Sequence, residues 1–179
     1  MKIPFSFVLI LVTSLASAQQ FMTRSGNVHF FSATPIENIE ADNNQMTGLL
    51  DESDGGFAFQ VQMRAFHFEK ALMEEHFNEN YVESEMYPKA TFQGQINNWS
   101  MDMKDGETHE VVATGTFEIH GVKDTRDISG SIMWNGSSWD IHAAFLVELA
   151  THNIEVPAAV MQNIASVIDV DVKASLEPR

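Results

Sequence analysis

Three consecutive segments in the second half of the chain alternate apolar and polar residues, and this alternation restricts the fold more than any other feature. The segments are 108–119, 126–134 and 139–149, and a period of two is typical of strands with one buried face. Asn135-Gly136, a strong hairpin signal, joins the last two. Strands this long favour an elongated barrel over a small sandwich. Five further strand candidates lie at 27–33, 45–51, 57–64, 89–97 and 167–176.

Two short helices are expected to interrupt the strands. Between the third and fourth strand candidates, five residues recur at helical spacing and fall on one stripe: Phe68, Leu72, Met73, His76 and Phe77. A second helix is expected after Pro157, because proline is favoured at the first helical position. The pattern therefore predicts an all-β, eight-stranded antiparallel barrel whose open end is closed by two short helices.

The first residues have the pattern of a signal peptide. Lys2 is followed by a mostly apolar run over residues 3–15, and Ala16-Ser17-Ala18 is a small-x-small cleavage site. The apolar run is too short for a typical spanning helix, although an uncleaved anchor is the alternative. Residues 1–18 are thus predicted to be a cleaved leader, and 19–179 to form one domain that works in the periplasm or outside the cell.

Composition excludes several classes of function. The chain has no Cys, which rules out disulfides, thiol nucleophiles and thiolate metal sites. Its net charge is −15, from 10 Lys and Arg against 25 Asp and Glu. Such a surface repels nucleic acid phosphates and anionic lipid headgroups. Neither a nucleic acid partner nor stable insertion into a membrane is expected.

No catalytic or metal-binding constellation is recognisable. The seven His residues do not form a His-Glu-x-x-His motif or a similarly tight cluster, and no Gly-x-Ser-x-Gly nucleophile motif occurs. The carboxylates are abundant, but residues such as Glu74 and Glu75 indicate a solvated helix surface, and spacing alone identifies no converging pair. The chain is therefore predicted not to be an enzyme and to have no metal site.

Several motifs occur together in a fixed order. Leu72-Met73 and His76-Phe77 lie on the predicted helix, Tyr87-Pro88 precedes the next strand, and segment 115–122 ends in His120-Gly121-Val122. Segment 154–157 then leads to the last strand. This order resembles the YceI-like family, the lipid- or polyisoprenoid-binding domain, over essentially the whole mature chain. Unlike many members, the chain lacks an Arg-x-x-x-Gly-Ile pattern after Leu149.

The resemblance implies a lipocalin-like barrel that holds a polyprenyl chain, such as the tail of a quinone or an isoprenoid alcohol. Taken alone, apolar faces are more often packed core than ligand-binding wall. The alternative function is therefore a small envelope barrel with a packed core that acts through a protein partner. Pairing with a second copy of the chain at the barrel mouth stays open. No cofactor is expected apart from the bound lipid.

The predicted inward faces contain almost no Lys or Arg, which favours a neutral, long, branched chain over a fatty acid. The resemblance implies that these faces line the ligand-binding interior. The expected lining residues are Phe57, Phe59, Val61, Met63, Phe92, Ile96, Phe117, Ile119, Ile132, Trp134, Ile141, Phe145 and Val147.

Overall fold

The computed structural model of the protein describes residues 19–158 and 160–179, and strands dominate it. The predicted leader, residues 1–18, lies outside the described residues. The long strands are β1 (Gln20–Ala33), β2 (Asn38–Asp51), β3 (Gly56–Gln62), β5 (Lys89–Ile96), β6 (Thr108–Ile119), β7 (Val122–Trp134), β8 (Trp139–Glu148) and β9 (Val167–Pro178). A two-residue strand, β4 (His67–Phe68), pairs with β2 beyond the end of β3.

The eight long strands form a closed antiparallel barrel. Each pairs with its neighbours in the order β1-β9-β8-β7-β6-β5-β3-β2, and β1 also pairs with β2. That last pairing runs from Gln20↔Asp51 to Ala33↔Asn38, with register shifts near Gly26. Because both edges of the sheet are joined, the backbone groups of the edge strands are paired. The predicted eight-stranded antiparallel barrel is confirmed.

One of the two predicted helices is present. Helix α1 (Ala71–His76) lies between β4 and β5 and continues into a wider π-helical turn, Phe77–Tyr81. The second prediction was wrong: residue 158 and residues 160–163 form turns. Val160 N donates to Pro157 O and Asn163 N donates to Val160 O, so the hydrogen bonds span three residues rather than the four of an α-helix.

The two ends of the barrel are built differently. At the tryptophan end, Trp99 and Trp134 both pack against Trp139, with ring centroids 5.1 and 5.3 Å away. Buried Glu52 accepts a hydrogen bond from Trp139 Nε1 at 3.2 Å and forms an ion pair with Lys104 Nζ at 2.5 Å. Lys104 Nζ also lies 4.3 Å from the Trp134 ring centroid. Side chains therefore fill this end.

The opposite end, the helix end, is covered by residues 63–88, the His120-Gly121 turn, and residues 149–158 and 160–166. Two of the sequence motifs meet here. The Tyr87 ring packs edge-on against His120, with centroids 4.4 Å apart. His120 Nδ1 lies 3.1 Å from the His152 carbonyl oxygen, and His120 Nε2 lies 2.9 Å from Glu83 Oε2. The turn thus joins the segment after α1 to the segment after β8.

A glycine is required at position 121 by the backbone conformation there and by the adjacent Tyr87 ring. His120 and Gly121 have φ angles of 52° and 73° and form the two-residue connection between β6 and β7, a hairpin geometry that favours glycine. A Cβ atom on Gly121 would lie 2.7 Å from Tyr87 Cε1. Gly136 provides a comparison, because its φ is 100° but no atom lies within 4 Å of its Cβ position.

We expect Gly121→Ala to lower the free energy of unfolding by about 2 kcal/mol, through left-handed backbone strain plus displacement of Tyr87. The control Gly136→Ala meets only the backbone strain and should lose about 1 kcal/mol. Urea unfolding followed by tryptophan fluorescence measures both. Equal losses in the two variants would show that the contact with Tyr87 does not constrain the turn.

Candidate functional site: an apolar cavity inside the barrel

An apolar cavity of about 250 Å³ lies inside the barrel. It extends from Leu50 and Ile132, next to the tryptophan end, to Met73 and Phe77 at the helix end. All eight long strands contribute to its wall. Because successive strand residues point to opposite faces, the predicted period of two places one apolar face of every strand inside the barrel.

Twelve of the thirteen predicted lining residues border this cavity. They are Phe57, Phe59, Val61, Met63, Phe92, Ile96, Phe117, Ile119, Ile132, Ile141, Phe145 and Val147. Trp134 does not border it, because its ring packs against Phe21 and Trp139 at the tryptophan end, with the Phe21 centroid 5.7 Å away. Contact between the twelve residues and a ligand stays a prediction.

Sequence reasoning missed part of the wall. Val28, Phe30, Met46 and Leu50 come from β1 and β2. The alternation of apolar and polar residues in these two strands was the available sequence signal for an inward face. Asn, Gly and Ser residues interrupt that alternation. On the predicted helical stripe, Met73 and Phe77 border the cavity, whereas Leu72 is 62% exposed.

Four phenylalanine rings form the wall near the helix end. The Phe77 ring lies 5.7 Å from Phe30, 5.6 Å from Phe66 and 5.0 Å from Phe68, measured between centroids. Among the described residues, no Asp, Glu, Lys or Arg lines the cavity. The wall is therefore suited to a hydrocarbon and offers no counter-ion to a charged group.

Three segments are tied together over the helix end. The Glu37 carboxylate, in the turn between β1 and β2, accepts hydrogen bonds from Lys70 Nζ at 2.6 Å and from Asn163 Nδ2 at 3.3 Å. The hydrogen bond from Lys70 is the main reason that the pKa of Glu37 lies below its ordinary value. Ser32 Oγ accepts from the Ala165 backbone N–H at 2.9 Å. These bonds hold the cover of the cavity in place.

A polar cluster, comprising Asp124, Arg126 and His152, lies under the same cover. Arg126 Nη2 is 2.8 Å from Asp124 Oδ2 and 3.2 Å from His152 Nε2. The guanidinium carbon lies 4.5 Å from the centroid of Phe117, a cavity residue. Asp124 and Arg126 share the inward face of β7 with Ile128, because they continue its alternation. Sequence reasoning missed this cluster, since its members are distant in the chain or alternate as polar residues.

The bond from Arg126 fixes the protonation of His152. A guanidinium only donates hydrogen bonds, so His152 Nε2 accepts and the proton of the neutral ring is on Nδ1. Burial is the largest cause that lowers the pKa of His152; Asp124 opposes it, while Arg126 and His120 act in the same direction as burial. His152 is fully buried and is therefore neutral near pH 7.

Neither a metal centre nor a spanning helix is found among residues 19–158 and 160–179. No group of three His, Asp or Glu side chains in this part of the chain is arranged to hold a metal ion. Of the helices described, none has the length and apolar character needed to cross a bilayer.

Comparison with known families identifies the class of protein. The model of the YceI-like domain matches residues 13–176, and the chain therefore belongs to the YceI-like family. No significant match was found among curated proteins.

Several solved structures share the fold. A polyisoprenoid binding domain from Saccharophagus degradans, implicated in plant cell wall breakdown, superposes with a TM-score of 0.76 at 13% identity, covering 89% of this chain and 98% of that one. BcnA from Burkholderia cenocepacia gives 0.71 at 14% identity, with coverage of 84% and 95%. The YceI protein of Campylobacter jejuni gives 0.52 at 10% identity, with coverage of 100% and 93%. At these identities the likeness concerns the fold.

The neutral state of His152 predicts a dependence of stability on pH. Below about pH 6.5 an unfolded His binds a proton, whereas the buried ring does not, so the free energy of unfolding falls as the pH is lowered. We expect the wild-type protein to lose about 1 kcal/mol more than His152→Gln between about pH 7.5 and about pH 5.5. Urea unfolding at the two pH values measures this difference. Parallel losses would contradict the assignment of a neutral ring.

Proposed function

We propose that this protein binds a long-chain isoprenoid lipid, with the hydrocarbon tail inside the barrel cavity. The observation that carries the proposal is the uncharged, aromatic-rich wall contributed by all eight long strands. Membership in the YceI-like family supports it, as does the similarity in fold to a structure described as a polyisoprenoid binding domain.

The energetics favour a long tail. Each methylene group moved from water to an apolar cavity contributes about 0.8 kcal/mol, so ten of them contribute about 8 kcal/mol. Alone, this would correspond to micromolar binding. Ordering the tail and losing free translation oppose binding by several kcal/mol. A short chain would therefore bind poorly unless a polar contact strengthened its binding.

The chemistry of the wall favours an uncharged ligand. A fatty acid would have to bury its carboxylate or find a cation, and burying an unpaired charge is costly. Among the described lining residues no Lys or Arg is available. The volume of about 250 Å³ is near the lower limit of typical ligand cavities, which suits a narrow hydrocarbon chain rather than a bulky ring system.

We further propose that the protein is an exported carrier without catalytic activity. The leader pattern of residues 1–18 supports a periplasmic or secreted location. A carrier needs only a cavity and a route for the tail, and no nucleophile or carboxylate pair is required. Periplasmic fractionation of cells that express the full chain tests the location directly.

Substitutions on adjacent β8 residues test the cavity. Phe145 borders the cavity, whereas Leu146 points outward and is 60% exposed. We expect Phe145→Asp to lose its co-purifying lipid, because an unpaired carboxylate would enter the apolar cavity. The matched control Leu146→Asp should keep wild-type occupancy. Solvent extraction followed by mass spectrometry measures the lipid per mole of folded protein.

An uncharged variant tests the cavity without burying a charge that could prevent folding. Ala113→Phe adds a ring to the cavity wall on β6 and should also lower lipid occupancy, by filling space. Full occupancy in folded Phe145→Asp and Ala113→Phe would overturn the proposal. Wild-type protein without any lipid, even when incubated with isoprenoids, would instead favour a packed barrel that acts through a protein partner.

A further inference from the structure

We propose that apolar ligands enter and leave the cavity sideways, through a slot in the barrel wall between the helix-end parts of β7 and β8. The slot is flanked by residues 122–129 of β7 and 144–148 of β8, which continue as strands but do not pair with each other. This inference rests on the proposed function and assigns the route by which the ligand reaches its site.

The hydrogen-bonded register between β7 and β8 covers only part of either strand. It runs from the tryptophan end to Gly130↔Ala143 and stops there. Both strands nevertheless continue toward the helix end, because β7 stays paired with β6 as far as Val122 and β8 stays paired with β9 as far as Glu148. At the usual rise of an antiparallel strand, residues 144–148 make the slot about 15 Å long.

Other irregularities in the strand pairing do not leave such a slot. Between β1 and β9 the register breaks after Met22 but resumes at Asn27, and β2 pairs with β4 beyond the end of β3. Elsewhere in the part of the chain that the structure describes, two neighbouring strands run past the end of their shared register together by two residues at most. The slot is therefore an opening in the hydrogen-bonded wall rather than the fraying of a strand end.

A side chain spans the slot where backbone hydrogen bonds would otherwise lie. Arg126 Nη1, from β7, donates to the Leu146 carbonyl oxygen on β8 at 3.3 Å. In a continued antiparallel ladder, backbone N–H groups of β7 would donate across this gap. The same guanidinium is anchored on its own strand, because its Nε and Nη2 atoms lie 3.1 and 2.8 Å from Asp124 Oδ2. Arg126 thus acts as a latch between the two strands.

The slot leads directly to the cavity. Ile128 on β7 and Phe145 and Val147 on β8 lie along the slot and border the cavity. Ser131 and His142, which alternate with inward-facing residues where the ladder ends, border the cavity as well, so the wall is thin there. Ile128 and Val147 are each only 5% exposed. The structure therefore shows the slot in its closed state, with apolar side chains across it.

The slot is the route that breaks the fewest polar contacts. At the helix end, the Glu37 carboxylate accepts two hydrogen bonds from two other segments, and the ring nitrogens of His120 make two more contacts. The tryptophan end is filled by indole rings and a buried ion pair. Across the slot, the latch contributes one hydrogen bond. Apolar side chains along it would keep a hydrocarbon tail in contact with apolar surface while the tail leaves water.

A reducible cross-link across the slot tests the route. Continuing the register from Gly130↔Ala143 places Asp127 opposite Leu146, and both residues are exposed on the outer face. The test variant, Asp127→Cys/Leu146→Cys, is bridged with a short bis-methanethiosulfonate reagent. The matched control, Thr114→Cys/Asp127→Cys, shares one substitution and bridges two positions that already pair on β6 and β7. Because the natural chain has no Cys, the reagent reacts only at the introduced positions.

Entry is measured by stopped-flow mixing of delipidated protein with the fluorescent probe N-phenyl-1-naphthylamine, and the Kd by titration. We expect the cross-link across the slot to slow both entry and exit of the probe by about tenfold or more. The Kd should stay within about twofold, because a change in the route alters both rates equally. Reduction of the cross-link should restore the wild-type rates, and the cross-linked control should keep them.

The latch is tested separately by Arg126→Lys. Lysine keeps a positive charge beside Asp124, but its single nitrogen cannot also take the place of the Nη1 atom that reaches Leu146. We expect probe entry to become about fivefold faster, as for the loss of one hydrogen bond across the slot. An unchanged or slower entry rate in the folded variant would contradict the role of Arg126 as a latch.

The possible failures are distinguishable. If the cross-link across the slot leaves the entry rate unchanged, or if both cross-links slow entry equally, ligands enter elsewhere and the slot is wrong, while the cavity assignment stands. A weaker affinity with an unchanged entry rate would also overturn the slot, since it would show that the cross-link distorts the cavity instead. If wild-type protein binds neither the probe nor an isoprenoid hydrocarbon, the proposed function fails and the route with it.

Discussion

The pairing of β1 with β2 is the constraint on which the rest of the structure depends. Without it, the other strands would form an open sheet with one apolar face exposed to water. With it, the apolar faces of all eight long strands turn toward one axis. Closure also explains how a Cys-free chain is stabilised, since sheet pairing and apolar burial are its main sources of free energy.

The two ends of the closed barrel differ in structure. At the tryptophan end, three indole rings and the Glu52–Lys104 ion pair fill the interior, so the core there is packed. At the helix end, loops joined through Glu37 and through His120 cover a space that side chains do not fill. An asymmetric barrel of this kind suits a ligand with an apolar tail.

The sequence was sufficient to predict the parts of the fold that follow local rules. Strict alternation identified β6, β7 and β8, and helical spacing identified the helix before Tyr87. The same rule found twelve residues on the cavity wall. It erred for Trp134, because periodicity reports the face on which a residue lies but not its depth along the barrel. The prediction of a helix after Pro157 was wrong for a related reason. Proline is favoured at the first position of a helix, but its presence does not supply the hydrogen bonds that a helix needs.

The features that could not be predicted from the sequence depend on contacts between segments that are distant in the chain. Arg126 continues the inward alternation of β7, but its partner His152 comes from a loop 26 residues later. Phe30 lies in a strand interrupted by polar residues, and only closure brings its ring against Phe77 from the helical segment. Such contacts depend on three-dimensional packing, which a period of two does not specify.

The central claim is that the space inside the barrel holds a hydrocarbon tail. A high-resolution crystal structure of protein purified without detergent tests it most directly. The account predicts continuous, narrow electron density along the cavity, in contact with Phe59, Phe92 and Phe145. Density from a chain of ordered waters, or a cavity filled by the protein's own side chains, would contradict it.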